Sequence, residues 1–140
     1  MPVNISRITI NAAPENVWDA LTQPEKVKLW QFGSRLQTDW KPGGPIRFTT
    51  EWQGTVFEQW GTVLTVQPFH EIRYNLFAPR PDLEDKPEHY FIMEYRLTAA
   101  DGKTDLEIRQ VDDRPGAVQE APQGEENPVL QSLKKLAESN

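Results

Sequence analysis

His70 and His89 are the only histidines in the chain, and an imidazole is the side chain best matched to proton transfer or metal ligation near neutral pH. His70 follows Pro68-Phe69 in a turn-like string beside Glu71, and His89 ends a run containing Asp82, Glu84, Asp85 and Glu88. Neither has a second histidine at helical spacing and cysteine is absent, so no paired zinc-ligand pattern is present and no thiol nucleophile exists. The carboxylate run, like Asp112-Asp113, reads as a solvated loop face. No Gly-x-Ser-x-Gly elbow, phosphate loop or dinucleotide fingerprint occurs, and Gly43-Gly44-Pro45 precedes a strand pattern, where it serves as a turn. The sequence therefore assigns no catalytic residue, no metal and no cofactor.

Aromatic side chains supply a different kind of chemistry. The chain has five tryptophans, six phenylalanines and three tyrosines, and each ring carries a large apolar surface with, in Tyr and Trp, one polar atom that needs a partner. Phe48, Trp60, Tyr74, Met93 and Tyr95 fall on strand patterns whose apolar side is expected to face a common concavity. Ile108 and Gln110 share a strand face, with Gln110 the best inward polar group, while Arg47, Glu94 and Arg109 are expected to point outward. Leu130 and Leu133, on a terminal helix, complete the candidate ligand-binding set. Trp52 and Phe57 are rim candidates. Core filling and pocket lining both account for these rings.

The elements that position them follow from local patterns. Val3 to Asn11 alternates as an opening strand, ended by Asn11-Ala-Ala-Pro14. Pro14, Glu15 and the helical spacing of Val17, Trp18 and Leu21 give a short helix over 14–21. Thr22-Gln-Pro-Glu25 resembles a capping box for a second helix carrying Val27, Leu29 and Trp30, so Trp18 and Trp30 are the expected anchors of a helical pair. From Gly43 onward the pattern is a meander: Ile46, Phe48 and Thr50; Thr55 to Val66; Ile72, Tyr74 and Leu76; Tyr90 to Leu97; and Thr104 to Val111, the last two joined through Asp101-Gly102. Pro79 to Pro87 reads as a mobile, exposed loop. Asn127 and Pro128 cap and open an amphipathic helix with Val129, Leu130, Leu133, Leu136 and Ala137. The fold class is α+β, with an antiparallel sheet of about six strands curved around a long C-terminal helix and two short helices after the first strand.

Composition bounds the class. At 140 residues one domain spanning 1–140 suffices. The net charge of −6 with scattered basic residues argues against nucleic acid. No apolar run approaches a membrane span, the N-terminus lacks signal-peptide regions, and the missing cysteines suit the cytosol.

The element order, together with Ala13-Pro-Glu-Asn-Val-Trp-Asp-Ala-Leu21, Pro24-Glu-Lys-Val-Lys-Leu-Trp30, Gly43-Gly44 with Phe48, Gly61-Thr-Val-Leu-Thr-Val-Gln-Pro68 and Leu130-Gln-Ser-Leu133, resembles the START-like (SRPBCC, helix-grip) superfamily. The nearest resemblance is to its branch of activator-of-heat-shock-ATPase homologues. The resemblance implies a cavity between sheet and terminal helix for an apolar or amphipathic small molecule of lipid or polyketide kind. It also implies two other uses, a cyclase or aromatase chemistry in that cavity and surface contact with a chaperone ATPase. An exposed sheet edge is compatible with either a monomer or a homodimer. One departure is Glu126-Asn-Pro-Val-Leu130, where this branch often has an aromatic residue near the helix start; a wider pocket mouth is one expectation from that change.

Overall fold

The computed structural model describes residues 2–31, 33–112, 114–124 and 126–139. Among the described residues, seven strands form one antiparallel sheet: β1 (Val3–Ile10), β2 (Arg35–Thr38), β3 (Pro45–Trp52), β4 (Thr55–Gln67), β5 (Glu71–Leu76), β6 (Phe91–Ala100) and β7 (Lys103–Asp112). Their spatial order is β1, β7, β6, β5, β4, β3, β2. The α-helices are α1 (Pro14–Thr22), α2 (Pro24–Trp30) and α3 (Pro128–Glu138). The expected α+β helix-grip class is thus present, with one strand more than the expected sheet: β2, only four residues long, follows α2 and pairs with β3. Too short for alternation to be recognised, it has a single buried residue, Leu36.

Strand parity divides the sheet into a buried face and a charged one. Ile8 and Ile10 on β1, Ile72, Tyr74 and Leu76 on β5, and Phe91, Tyr95 and Leu97 on β6 all join the core, as alternation requires. On the convex face, directly paired positions alternate in sign: Arg73 faces Glu94, which faces Arg109, while Arg7 faces Glu107, which faces Arg96. Ion pairs at 3.3 to 3.8 Å link Arg7, Arg73, Arg96 and Arg109 to Glu94 and Glu107. Arg47 and Arg109 lie on this face as expected; Glu94 does too, although its neighbours bury it.

The three helices pack on one another, α3 against β1 and α1 against β6 and β7. Trp30 is the helical anchor anticipated from the sequence, buried with its indole N–H donating to the Ala20 carbonyl at 2.7 Å. Trp18 sits at the margin, edge-on to Phe69. The capping box does not form: Thr22 ends α1 and donates its hydroxyl to the Trp18 carbonyl, and Gln23, at the N-cap of α2, makes no side-chain cap. The run of Gln23 and Pro24 leaves too little chain between the two helices for Thr22 to leave α1. Asn127 does cap α3, accepting from the amides of Val129 and Leu130. At 11 residues that helix is short rather than long.

The segment 79–90 is exposed over most of its length, as expected, but is tied down at several points. Leu83 is buried, Pro87–His89 forms a turn of 3-10 helix, and His89 Nδ1 donates to the Glu84 carbonyl at 2.6 Å. Asp85 accepts the Trp60 indole N–H at 3.0 Å and the Tyr90 hydroxyl at 2.6 Å, pinning the loop to the convex side of the sheet.

The outer edge of β1 is closed by the segment preceding α3 and by α3 itself. Gln123 pairs with it through the Arg7 amide and the Ile5 carbonyl, Gln119 accepts the Val3 amide at 2.6 Å, and Lys134 donates to the Thr9 carbonyl. Alternate residues of this edge strand thereby find partners, leaving it unavailable for pairing with another chain.

Candidate functional site

Along the concave face lies a cavity of two adjoining lobes, of which only the second reaches the helices. The first, about 470 Å³, is bounded by Phe48, Thr50 and Gln59 of the β3 and β4 hairpin, by Tyr74, Leu76, Phe91 and Tyr95, and at its mouth by Arg114. The second, about 460 Å³, lies toward α3 and is bounded by Trp30, Ile108, Gln123, Asn127, Val129 and Leu130. Gln31, Met93, Tyr95 and Gln110 belong to both lobes.

Seven expected positions are therefore brought together: Phe48, Tyr74, Met93, Tyr95, Ile108, Gln110 and Leu130. Leu133 is fully buried in the core and reaches neither lobe. Trp60 must be corrected. Phe48 pairs with Gln59 and Arg47 with Trp60, so Gln59 takes the inward position while Trp60 lies on the convex face against Phe77, ring centroids 5.5 Å apart. The deciding element is the turn at Gln53 and Gly54, whose φ values of 51° and 78° suit a two-residue type I′ hairpin and set Trp52 opposite Thr55. Phe57 forms part of the first lobe's rim while remaining largely exposed. The side chain of Trp52 and the whole of Asp113 lie outside the described residues.

Arg114, Phe91 and Gln59 were not singled out from the sequence. A two-residue reading of Gln53-Gly54 would have found Gln59, and period-two alternation from Met93 and Tyr95 points to Phe91. Arg114 carries no such signal: it follows β7 at an irregular turn, where its guanidinium sits 4.4 Å over the Phe91 ring and grips Asp112 at 2.6 and 2.8 Å. Those hydrogen bonds hold the buried Asp112 carboxyl below its ordinary range despite the opposing effect of desolvation.

The most enclosed polar groups are the hydroxyls of Tyr74 and Tyr95, 2.6 Å apart, on rings set edge to face. Burial raises the Tyr95 hydroxyl to about 12 and, with the neighbouring tyrosine adding to the effect, raises Tyr74 well above its ordinary value. Both remain neutral donors and acceptors across the physiological range, ill suited to act as bases. Among the described residues, no three His, Cys, Asp or Glu side chains gather as metal ligands.

Residues 11–138 match the family described as Activator of Hsp90 ATPase homolog 1-like protein. The chain belongs to that family. No curated protein sequence matches this AHSA1-like chain. Solved structures extend the likeness of its fold. A protein from Cytophaga hutchinsonii shares 28% identity at a TM-score of 0.70, over 100% of this chain and 86% of that one. One from Chromobacterium violaceum shares 22% at 0.76, over 98% and 99%. An HSP90 activator from Plasmodium falciparum shares 16% at 0.64, over 84% and 76%. The AHSA1-like fold thus recurs across low sequence identity. No helix among the described residues is long and apolar enough to cross a membrane.

Proposed function

We propose that this AHSA1-like protein is a non-catalytic, single-domain binder of an apolar or amphipathic small molecule, of lipid or polyketide kind, held in the two-lobed cavity. The observation that carries the reading is the first lobe, whose volume of about 470 Å³ falls within the range of small-molecule sites and whose wall combines Phe48, Tyr74, Leu76 and Phe91 with a few polar groups. The titratable groups of that lobe support binding over catalysis. Tyr74 and Tyr95 stay protonated, and Arg114 is already paired with Asp112. A cytoplasmic location and a monomer or homodimer fit this role. Native mass spectrometry of freshly purified protein tests it: the expected result is a co-purified apolar molecule, lost when the cavity is filled by Met93→Trp. Protein that carries nothing and gains no thermal stability from an apolar naphthalene probe counts against the reading, because a ligand at 100 times its Kd stabilises by about 2.7 kcal/mol.

A second reading rests on the family match and on the HSP90 activator among the structural neighbours. In that role the protein contacts a chaperone ATPase through its surface, as a co-regulator. Stimulation of Hsp90 ATPase activity by the purified chain is the measurement, and no change at saturating protein rejects it.

A further inference from the structure

The polar pair in the cavity has an unequal inventory of donors and acceptors. Tyr74 and Tyr95 project from neighbouring strands, where Tyr74 faces Met93 and Ile72 faces Tyr95, so the two tyrosines are diagonal neighbours on the concave face. Their hydroxyls meet at 2.6 Å and make no other hydrogen bond among the described residues. Each hydroxyl has one hydrogen. A single bond between them uses one, and whichever tyrosine donates, the other O–H is left over. Both residues are nearly inaccessible, Tyr74 at 2% and Tyr95 at 4% exposure. A buried donor without an acceptor is the costlier omission, since spare lone pairs are tolerated more readily than an orphaned hydrogen. None of the lobe's other described polar side chains bonds either tyrosine hydroxyl: the Ser34 and Thr50 hydroxyls bond each other at 2.8 Å, and the Gln110 amide nitrogen donates to Asp112.

We propose that the remaining hydroxyl hydrogen of this pair donates to a neutral carbonyl oxygen of the bound molecule, which makes the ligand class an apolar ketone, ester or amide. The inference rests on the cavity reading above and narrows it. Charge decides against a carboxylate. The one guanidinium on the first lobe, Arg114, is held by Asp112 through two hydrogen bonds, so an anion entering there finds no free cation to offset its lost hydration. The upward displacement of both tyrosine hydroxyls reports the same hostility to negative charge. In the empty cavity a water molecule fits the acceptor role, and a carbonyl oxygen replaces it while the apolar remainder of the ligand occupies the ring-lined wall.

The test uses three fluorescent compounds of one shape: 6-propionyl-2-(dimethylamino)naphthalene, its 6-propyl counterpart and the 6-carboxylate. The comparison variant is the double substitution Tyr74→Phe with Tyr95→Phe, which removes donor and acceptor together while keeping both rings. The expected result is that the ratio of ketone to hydrocarbon affinity falls roughly 10-fold in the variant. The infrared carbonyl stretch of the bound ketone is expected at lower frequency in the natural protein than in the variant. An unchanged ratio, an unchanged stretch, or tighter uptake of the carboxylate than of the ketone overturns the proposal. Hydrocarbon binding with an unchanged ratio leaves the cavity reading standing and removes this inference alone; failure of both neutral compounds to bind the natural protein removes both.

Discussion

Gly61 passes so close to Asn75 that a Cβ built on the glycine would lie 1.9 Å from the Asn75 backbone carbonyl oxygen. Here β4 is flanked on both sides: Gly61 and Thr62 lie opposite Ile46 and Pro45 of β3, while Trp60 pairs with Phe77 and the Thr62 amide bonds the Asn75 side chain at 2.7 Å. A bulge follows between Val63 and Thr65, so that Val63 and Val66 both reach the core despite their odd spacing. Gly61→Ala is expected to destabilise the protein by about 3 kcal/mol or more, since the obstruction is backbone and cannot rotate away. Urea unfolding checks this, and a loss below about 1 kcal/mol would show that the two strands separate freely at the crossing.

Met93 touches both lobes, whereas Trp60 lies on the opposite side of the sheet. Met93→Trp is expected to weaken binding of an apolar naphthalene probe at least about tenfold by occupying the shared space. Trp60→Phe should leave that affinity unchanged, although it costs stability through the lost bond to Asp85. Fluorescence titration of both variants distinguishes the inward position from the outward one.

Asp85 joins Trp60 and Tyr90 through a single carboxylate. Because these are exposed hydrogen bonds, Asp85→Ala should lower global stability by only about 1 kcal/mol. Its larger effect is local, a rise in amide exchange across residues 79–90, read by mass spectrometry after deuterium labelling. Unchanged exchange there would mean that Leu83 and the His89–Glu84 hydrogen bond hold the loop without it.

Asp112 links folding to acid. Hydrogen bonds from Arg114 lower its carboxyl in the folded state beneath the ordinary value of 3.8. Its stabilising contribution is therefore complete above that value and disappears as pH falls through the lower folded one. Asp112→Asn should reduce stability at pH 7 by about 1 to 3 kcal/mol and flatten the dependence on pH below about 4. Guanidinium unfolding measured between pH 2 and 7 gives both quantities.

Period-two alternation was enough to place Tyr74, Met93, Tyr95 and Ile108 on the cavity side, because strands that bury one face leave little freedom of register. The Asp101-Gly102 hairpin was equally legible, with both residues at positive φ. Trp60 was misplaced by one residue because the corresponding Gln53-Gly54 turn was not recognised as a two-residue loop, and a one-residue slip reverses a whole strand. Arg114 depends on tertiary contact with Phe91 and Asp112, which no local periodicity encodes. β2 owes its strand state to pairing with β3 rather than to its own composition.

The segment that closes the edge of β1 also contributes Glu120 and Gln123 to the second lobe. One stretch of chain thus serves as pocket wall and as guard of an otherwise adhesive strand. Under the proposed binding role, a cargo that stiffened this wall would lower the population of chains with β1 uncovered, which would link occupancy to strand-to-strand self-association.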